Sequence, residues 1–106
     1  MDAALSLLLD ALRQRATTLY GDRLDRLVLY GSHARGDARP GSDVDVALVL
    51  TGPVDAPTEI DRTAGLVADL VLAYGRFVSI YPVSAAAFES EDRPLLRAVR
   101  SEGVPA

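Results

Sequence analysis

Residues Leu27–Leu50, LVLYGSHARGDARPGSDVDVALVL, are the stretch from which the rest of the chain can be read. Leu27 to Tyr30 is a short apolar run ended by Gly31, the pattern of a strand covered on at least one face. Ser32 to Gly36 can make a single helical turn. Asp37 to Gly41 is loop by composition, with Pro40-Gly41 as its turn dipeptide. Asp43 to Leu50 predicts a second strand. Its alternation places Asp43, Asp45 and Ala47 on one face and Val44, Val46 and Leu48 on the other. Two carboxylates at i and i+2 lie about 6–7 Å apart along such a face. Like charges that close repel, and a fold that keeps both ionised usually supplies a cation.

On either side the pattern predicts packing elements. Asp2 caps a helix running to about Leu19, with Leu5, Leu8, Leu9, Leu12, Ala16 and Leu19 at three- and four-residue spacing on one face and Gly21 as its stop. Thr51 to Pro57 is a Gly/Pro loop. A helix follows from about Thr58 to Tyr74, with Ile60, Ala64, Val67, Leu70, Val71 and Tyr74 expected inward and Asp61, Arg62 and Asp69 outward. Arg76 to Val83 reads as a third strand, with Phe77, Ser79 and Tyr81 sharing one face. Ser84 can cap a short helix towards Ser90. Asp92, with Pro94 in the first turn, opens a last helix carrying Leu95, Leu96 and Val99, ended by Gly103. Strands alternating with helices predict an α/β (α+β) domain: a small mixed sheet with helices packed on one face, the other left open around Asp43 and Asp45.

The totals narrow the chemistry. At 106 residues and 49% apolar content, one small domain over 1–106 with its own core is expected. There is no cysteine and a single histidine, His33, which excludes disulfides and Cys/His zinc sites. A metal would be held by oxygens, which points to Mg²⁺ or Mn²⁺. The net charge of −4 argues against nonspecific binding to a nucleic-acid backbone. No basic segment follows Met1-Asp2, and no apolar run approaches the ~18 residues that span a bilayer. A cytoplasmic protein without a membrane anchor is the expectation.

Gly31 lets a backbone approach a ligand closely, and Ser32 opens a helical turn whose free N–H groups form an anion site suited to a phosphate chain. Asp43 and Asp45 on the next strand would hold Mg²⁺ against those phosphates. Each piece alone is weak; together they are specific. Gly-Ser, ten residues, then Asp-x-Asp, with Ala34-Arg35-Gly36 and Ser42 between, resembles the minimal nucleotidyltransferases of the polymerase-β-like superfamily. The resemblance runs over the whole chain in order and length of elements, and implies the nucleotidyltransferase fold.

That resemblance implies roles position by position. Gly31 and Ser32 bind the phosphates of ATP or another nucleoside triphosphate, and Asp43 and Asp45 ligate the divalent metal. An acceptor hydroxyl attacks the α-phosphorus and pyrophosphate leaves. It also implies a partner, a small helical HEPN-type toxin, silenced by addition of AMP. One departure stands out: the family's third carboxylate, on a neighbouring strand, matches Ser79 here, and loss of a base costs on the order of 10²–10⁴ in rate. A contact-only neutralising module is therefore the alternative, and a structural subunit of a larger transferase a third. Arg35 and Arg39 suit bidentate phosphate contacts, with pairing to Asp37 or loop closure as their other role. His33 reads as a polar turn residue, and Asp69 and Glu89 as surface charges. Phe77 and Tyr81 fit either base stacking or core packing.

Overall fold

The computed structural model describes residues 2–106. In chain order the elements are α1 (Ala3–Tyr20), a 3₁₀ turn (Gly21–Arg23), β1 (Leu24–Tyr30), α2 (Ser32–Arg35), β2 (Val44–Leu50), α3 (Ala56–Tyr74), β3 (Val78–Ser84), α4 (Ala85–Ser90), α5 (Pro94–Glu102) and β4 (Val104–Pro105). The four strands form one mixed sheet in the order β3-β2-β1-β4. β1 runs antiparallel to β2 and to β4, while β2 and β3, joined through α3, are parallel. That is the small mixed sheet the alternation of elements predicts. β4 is an addition, because two residues carry no readable period.

The central strand β2 explains itself. Val44, Val46, Leu48 and Leu50 are buried with Leu5, Leu8, Leu9 and Leu12 of α1 and Leu66 and Leu70 of α3. Ala47 and Val49 are buried on the opposite face with Val28, Phe88, Leu96 and Val99. A strand covered on both sides reads as a near-continuous apolar run. Asp45 is the half-buried exception within it. The two long helices thus share one face, as expected. The other face is closed over its distal part by α4 and α5, leaving the Asp45 end open.

Caps set the helix ends. Asp2 accepts from the Leu5 N–H (2.7 Å), and Ser84 Oγ accepts from the Ala87 N–H (3.1 Å). The last helix differs from expectation: its N-cap is Arg93, without a side-chain bond, and Asp92 pairs with Arg97 instead. Tyr20 is buried where Leu19 was expected, and Leu19 is 41% exposed.

The face of α3 is also rotated from the periodic reading. Glu59, Thr63, Leu66 and Leu70 are buried, and Ile60 is half exposed. Glu59 accepts from Tyr20 Oη (2.8 Å) and pairs with Arg62 (3.2 Å) and Arg23 (3.3 Å). An acid so satisfied can sit inside. Ile60 and Ala64 are exposed, while Val67 and Val71 stay half-buried, Val67 against the core. They line, with Phe77 and Ile80, an apolar groove of about 750 Å³. Burial and the Glu59 carboxylate push the Tyr20 phenol above its ordinary value. No helix among the described residues is long and apolar enough to cross a membrane.

Candidate active site

β1 ends at Tyr30, whose register partner is Asp45, so Gly31 follows directly beside that acid. Gly31 has φ +76°, and a Cβ built on it would lie 2.4 Å from Asp45 Oδ2. Only glycine lets the two approach so closely. α2 starts at once: the N–H groups of Ala34 and Arg35 both donate to the Gly31 carbonyl (3.1 Å each). Those of Ser32 and His33 are left at the open end of the turn.

Asp43 stands exposed, one residue ahead of β2. The loop before it is tied down at Ser42, whose N–H donates to the Arg39 carbonyl (2.9 Å) and whose Oγ accepts from the Arg39 N–H (2.9 Å). His33 Nε2 bonds the Ser42 carbonyl at 3.3 Å. A carbonyl only accepts, so this bond needs the proton on Nε2. His33 is thereby a strut between the Ser32 turn and Asp43. A polar cleft of about 490 Å³ opens beside Asp43, with His33, Arg39, Ser42, Arg76 and Phe77 in its wall. It is smaller than the apolar groove but is the one that Asp43 lines.

Burial, and next the charge of Asp43, raise the Asp45 carboxyl above its ordinary value. The same carboxylate, after burial, lifts the Tyr30 phenol to about 12. Holding Asp45 ionised therefore costs stability, because the folded state binds its proton more tightly than the unfolded chain does. The penalty is absent below the unfolded carboxylate range and appears as pH rises through the folded value. Asp45→Asn should accordingly melt about 2–5 °C higher than the wild-type chain at pH 7 without divalent cations. The gap should close as pH falls towards 4. Thermal melts at several pH values check this; a lower melting Asn variant would contradict it.

The remaining residues fall as follows. Ser79 is the parallel register partner of Asp45, one strand away on the same face. Arg35 bonds Asp37 (3.2 Å) and Glu102 (3.2 Å), which raise its guanidinium further, the Asp37 bond first. Arg39 is exposed on the loop. Asp69 pairs with Arg15 and Glu89 with Arg26, so both are surface charges. Phe77 is exposed beside the cleft, while Tyr81 is half-buried against the α4/α5 core. Among the described residues there is no group of three or more Asp, Glu, His or Cys side chains that could hold a metal ion. Two residues escaped the sequence reading. Arg76 lines the cleft with a buried Nη1 that has no hydrogen-bond partner, and Glu102 accepts from the Gly31 N–H (3.1 Å). Neither lies in a motif, so no local signal marks them.

Residues 6–97 match the nucleotidyltransferase domain family. The chain belongs to that family. Two curated relatives come from Methanocaldococcus jannaschii. "Putative protein adenylyltransferase MJ0141" is 50% identical over 34 residues, 32% of this chain and 34% of its own length. "Putative protein adenylyltransferase MJ0604" is 41% identical over 56 residues, 53% of this chain and 50% of its own. The alignments thus span half or less of either relative. Among solved structures, a toxin–antitoxin crystallised with AMP-PNP superposes with TM-score 0.64 at 19% identity, over 91% of this chain and 69% of that one. A mutant of the toxin–antitoxin pair MntA–HpeT gives 0.62 at 17% identity, over 88% and 68%. At these identities the shared property is the nucleotidyltransferase fold.

Proposed function

We propose that this chain transfers AMP from ATP to a hydroxyl on a small helical HEPN-type partner, and so acts as the antitoxin to a toxin. The observation that carries this is the contact of bare Gly31 with Asp45, which supports reading the Gly31-Ser32 turn as a phosphate site next to that acid. The adenylyltransferase names of the relatives and the toxin–antitoxin complexes among the structural neighbours support the choice of reaction and partner.

The donor set suits Mg²⁺. Two carboxylates meet an ion that keeps its remaining positions for water and substrate phosphate, and the charge penalty on Asp45 is one that a cation relieves. Asp43 and Asp45 would hold it, and when bound it supplies charge neutralisation at the phosphoryl group. Ser32, with the N–H groups of Ser32 and His33, would cradle the phosphates, and Arg35 and Arg39 would reach them from the loop side. The acceptor hydroxyl gives up its proton to solvent as its oxygen bonds to the α-phosphorus, the bond from that phosphorus to the α–β bridging oxygen breaks, and pyrophosphate departs.

A second reading is favoured by one specific feature. Ser79 stands in register with Asp45, at the place where the resemblance calls for a third acid. A hydroxyl is a poor base at neutral pH, so a module that neutralises its partner by contact alone is the alternative. ATP labelled at the α-phosphate, Mg²⁺ and a small helical HEPN-type protein, if the neighbouring reading frame encodes one, separate the two. Label on the partner supports transfer; neutralisation without label supports contact. Ser79→Asp should raise the transfer rate or tighten Mg²⁺ binding about tenfold. Unchanged values in both would place the missing acid elsewhere.

A further inference from the structure

Glu102 reaches the Gly31 turn from the far end of the chain. Its Oε1 accepts from the Gly31 N–H at 3.1 Å and from Arg35 Nη1 at 3.2 Å. The side chain is 25% exposed, so the pair of bonds is partly shielded from water. It is fixed from both directions. Before it, Leu96 and Val99 are buried in the α5 contact with the sheet. After it, Gly103 sits between the last turn of α5 and β1, where an added Cβ would collide with the Val99 carbonyl and with Val28 Cγ1. Val104 and Pro105 then pair with Leu29 and Val28, and the Ala106 N–H donates to the Leu27 carbonyl (3.0 Å).

The β1–β2 ladder ends at Tyr30 and Asp45, so Glu102 takes over where the ladder stops. It supplies the acceptor for the next N–H, on the residue with the widest backbone freedom. The same oxygen accepts from the Arg35 guanidinium, which also bonds Asp37. We infer that Glu102 is a positioning residue for the nucleotide: its carboxylate oxygen holds the Gly31 backbone and Arg35 at the spacing that triphosphate oxygens require. The C-terminal segment is then part of the site. This rests on the reading of Gly31–Arg35 as the phosphate cradle.

Glu102→Ala removes acceptor and charge, whereas Glu102→Gln keeps the acceptor and removes only the charge. Two readouts apply to the full chain, with circular dichroism to verify folding: the dissociation constant for Mg²⁺·ATP by calorimetry, and exchange of the Gly31 amide by NMR. The alanine variant should weaken binding about tenfold and speed Gly31 exchange by a similar factor. The glutamine variant should stay within about threefold of wild type on both. Equal losses in the two variants, or tighter binding by the alanine variant, would overturn the inference; the latter would mean that the carboxylate competes with phosphate. Wild-type binding untouched by either substitution overturns it and leaves the transferase reading standing. A wild-type chain that binds no Mg²⁺·ATP overturns both, with faster exchange alone marking Glu102 as structural.

Discussion

Replacing Asp43 or Asp45 by asparagine is expected to lower AMP transfer by about 10³-fold or more, measured as label moved from α-labelled ATP to the partner. Asparagine keeps the size of the side chain and loses the charge, which on the proposed mechanism would hold a divalent ion against a triphosphate. The two acids should behave as a unit. The double variant should fall only a few-fold below either single one, since the second substitution removes a ligand from a site already empty. A single variant that retains more than a tenth of wild-type transfer would remove the acid pair from the mechanism. Asp45 adds an internal check, because its loss should raise stability while it destroys activity. Opposite signs on one residue are the mark of an acid kept for chemistry at a cost to folding.

Gly31→Ala should be the most damaging glycine substitution in the site, and for two separable reasons. At φ +76° any L side chain is strained, by about 1–2 kcal/mol. In addition the new methyl would sit 2.4 Å from Asp45 Oδ2, so the acid or the turn must move. Together these should cost about 2–4 kcal/mol, or a melting temperature lower by about 10–20 °C, and weaken Mg²⁺·ATP binding by about 10²-fold. Gly36→Ala is the control: its φ is +81°, but nothing lies within 4 Å of the added carbon. It should show the backbone cost alone and keep nucleotide affinity within a few-fold. Equal losses at the two glycines would mean that the Gly31–Asp45 contact carries no function.

Much of the site is legible along the chain because its parts are local. Gly31-Ser32 follows a strand, Asp43 and Asp45 stand two residues apart at the start of the next, and a single connection joins them; periodicity of two and a glycine stop are enough to see this. The α3 face was not legible for the opposite reason. Ile60, Ala64, Val67 and Val71 look like a core stripe, yet Ile60 and Ala64 are exposed while Glu59 is buried against Tyr20, Arg23 and Arg62. An apolar count cannot foresee an acid that finds three partners from two other elements and its own helix.

What the sequence alone determined is the parts on offer: a Gly-Ser turn after a strand, two acids two residues apart, no soft metal ligand, and the order of strands and helices that supports them. These follow from backbone periods and side-chain types, which any short window of chain displays. What only the tertiary structure decided is the company those groups keep. Folding put Gly31 against Asp45, set Ser79 in register with that acid, and carried Glu102 across 71 positions to the Gly31 N–H. Such contacts arise from closure of the sheet around β1 and β2, where the partners are chosen by packing and leave no period in the sequence.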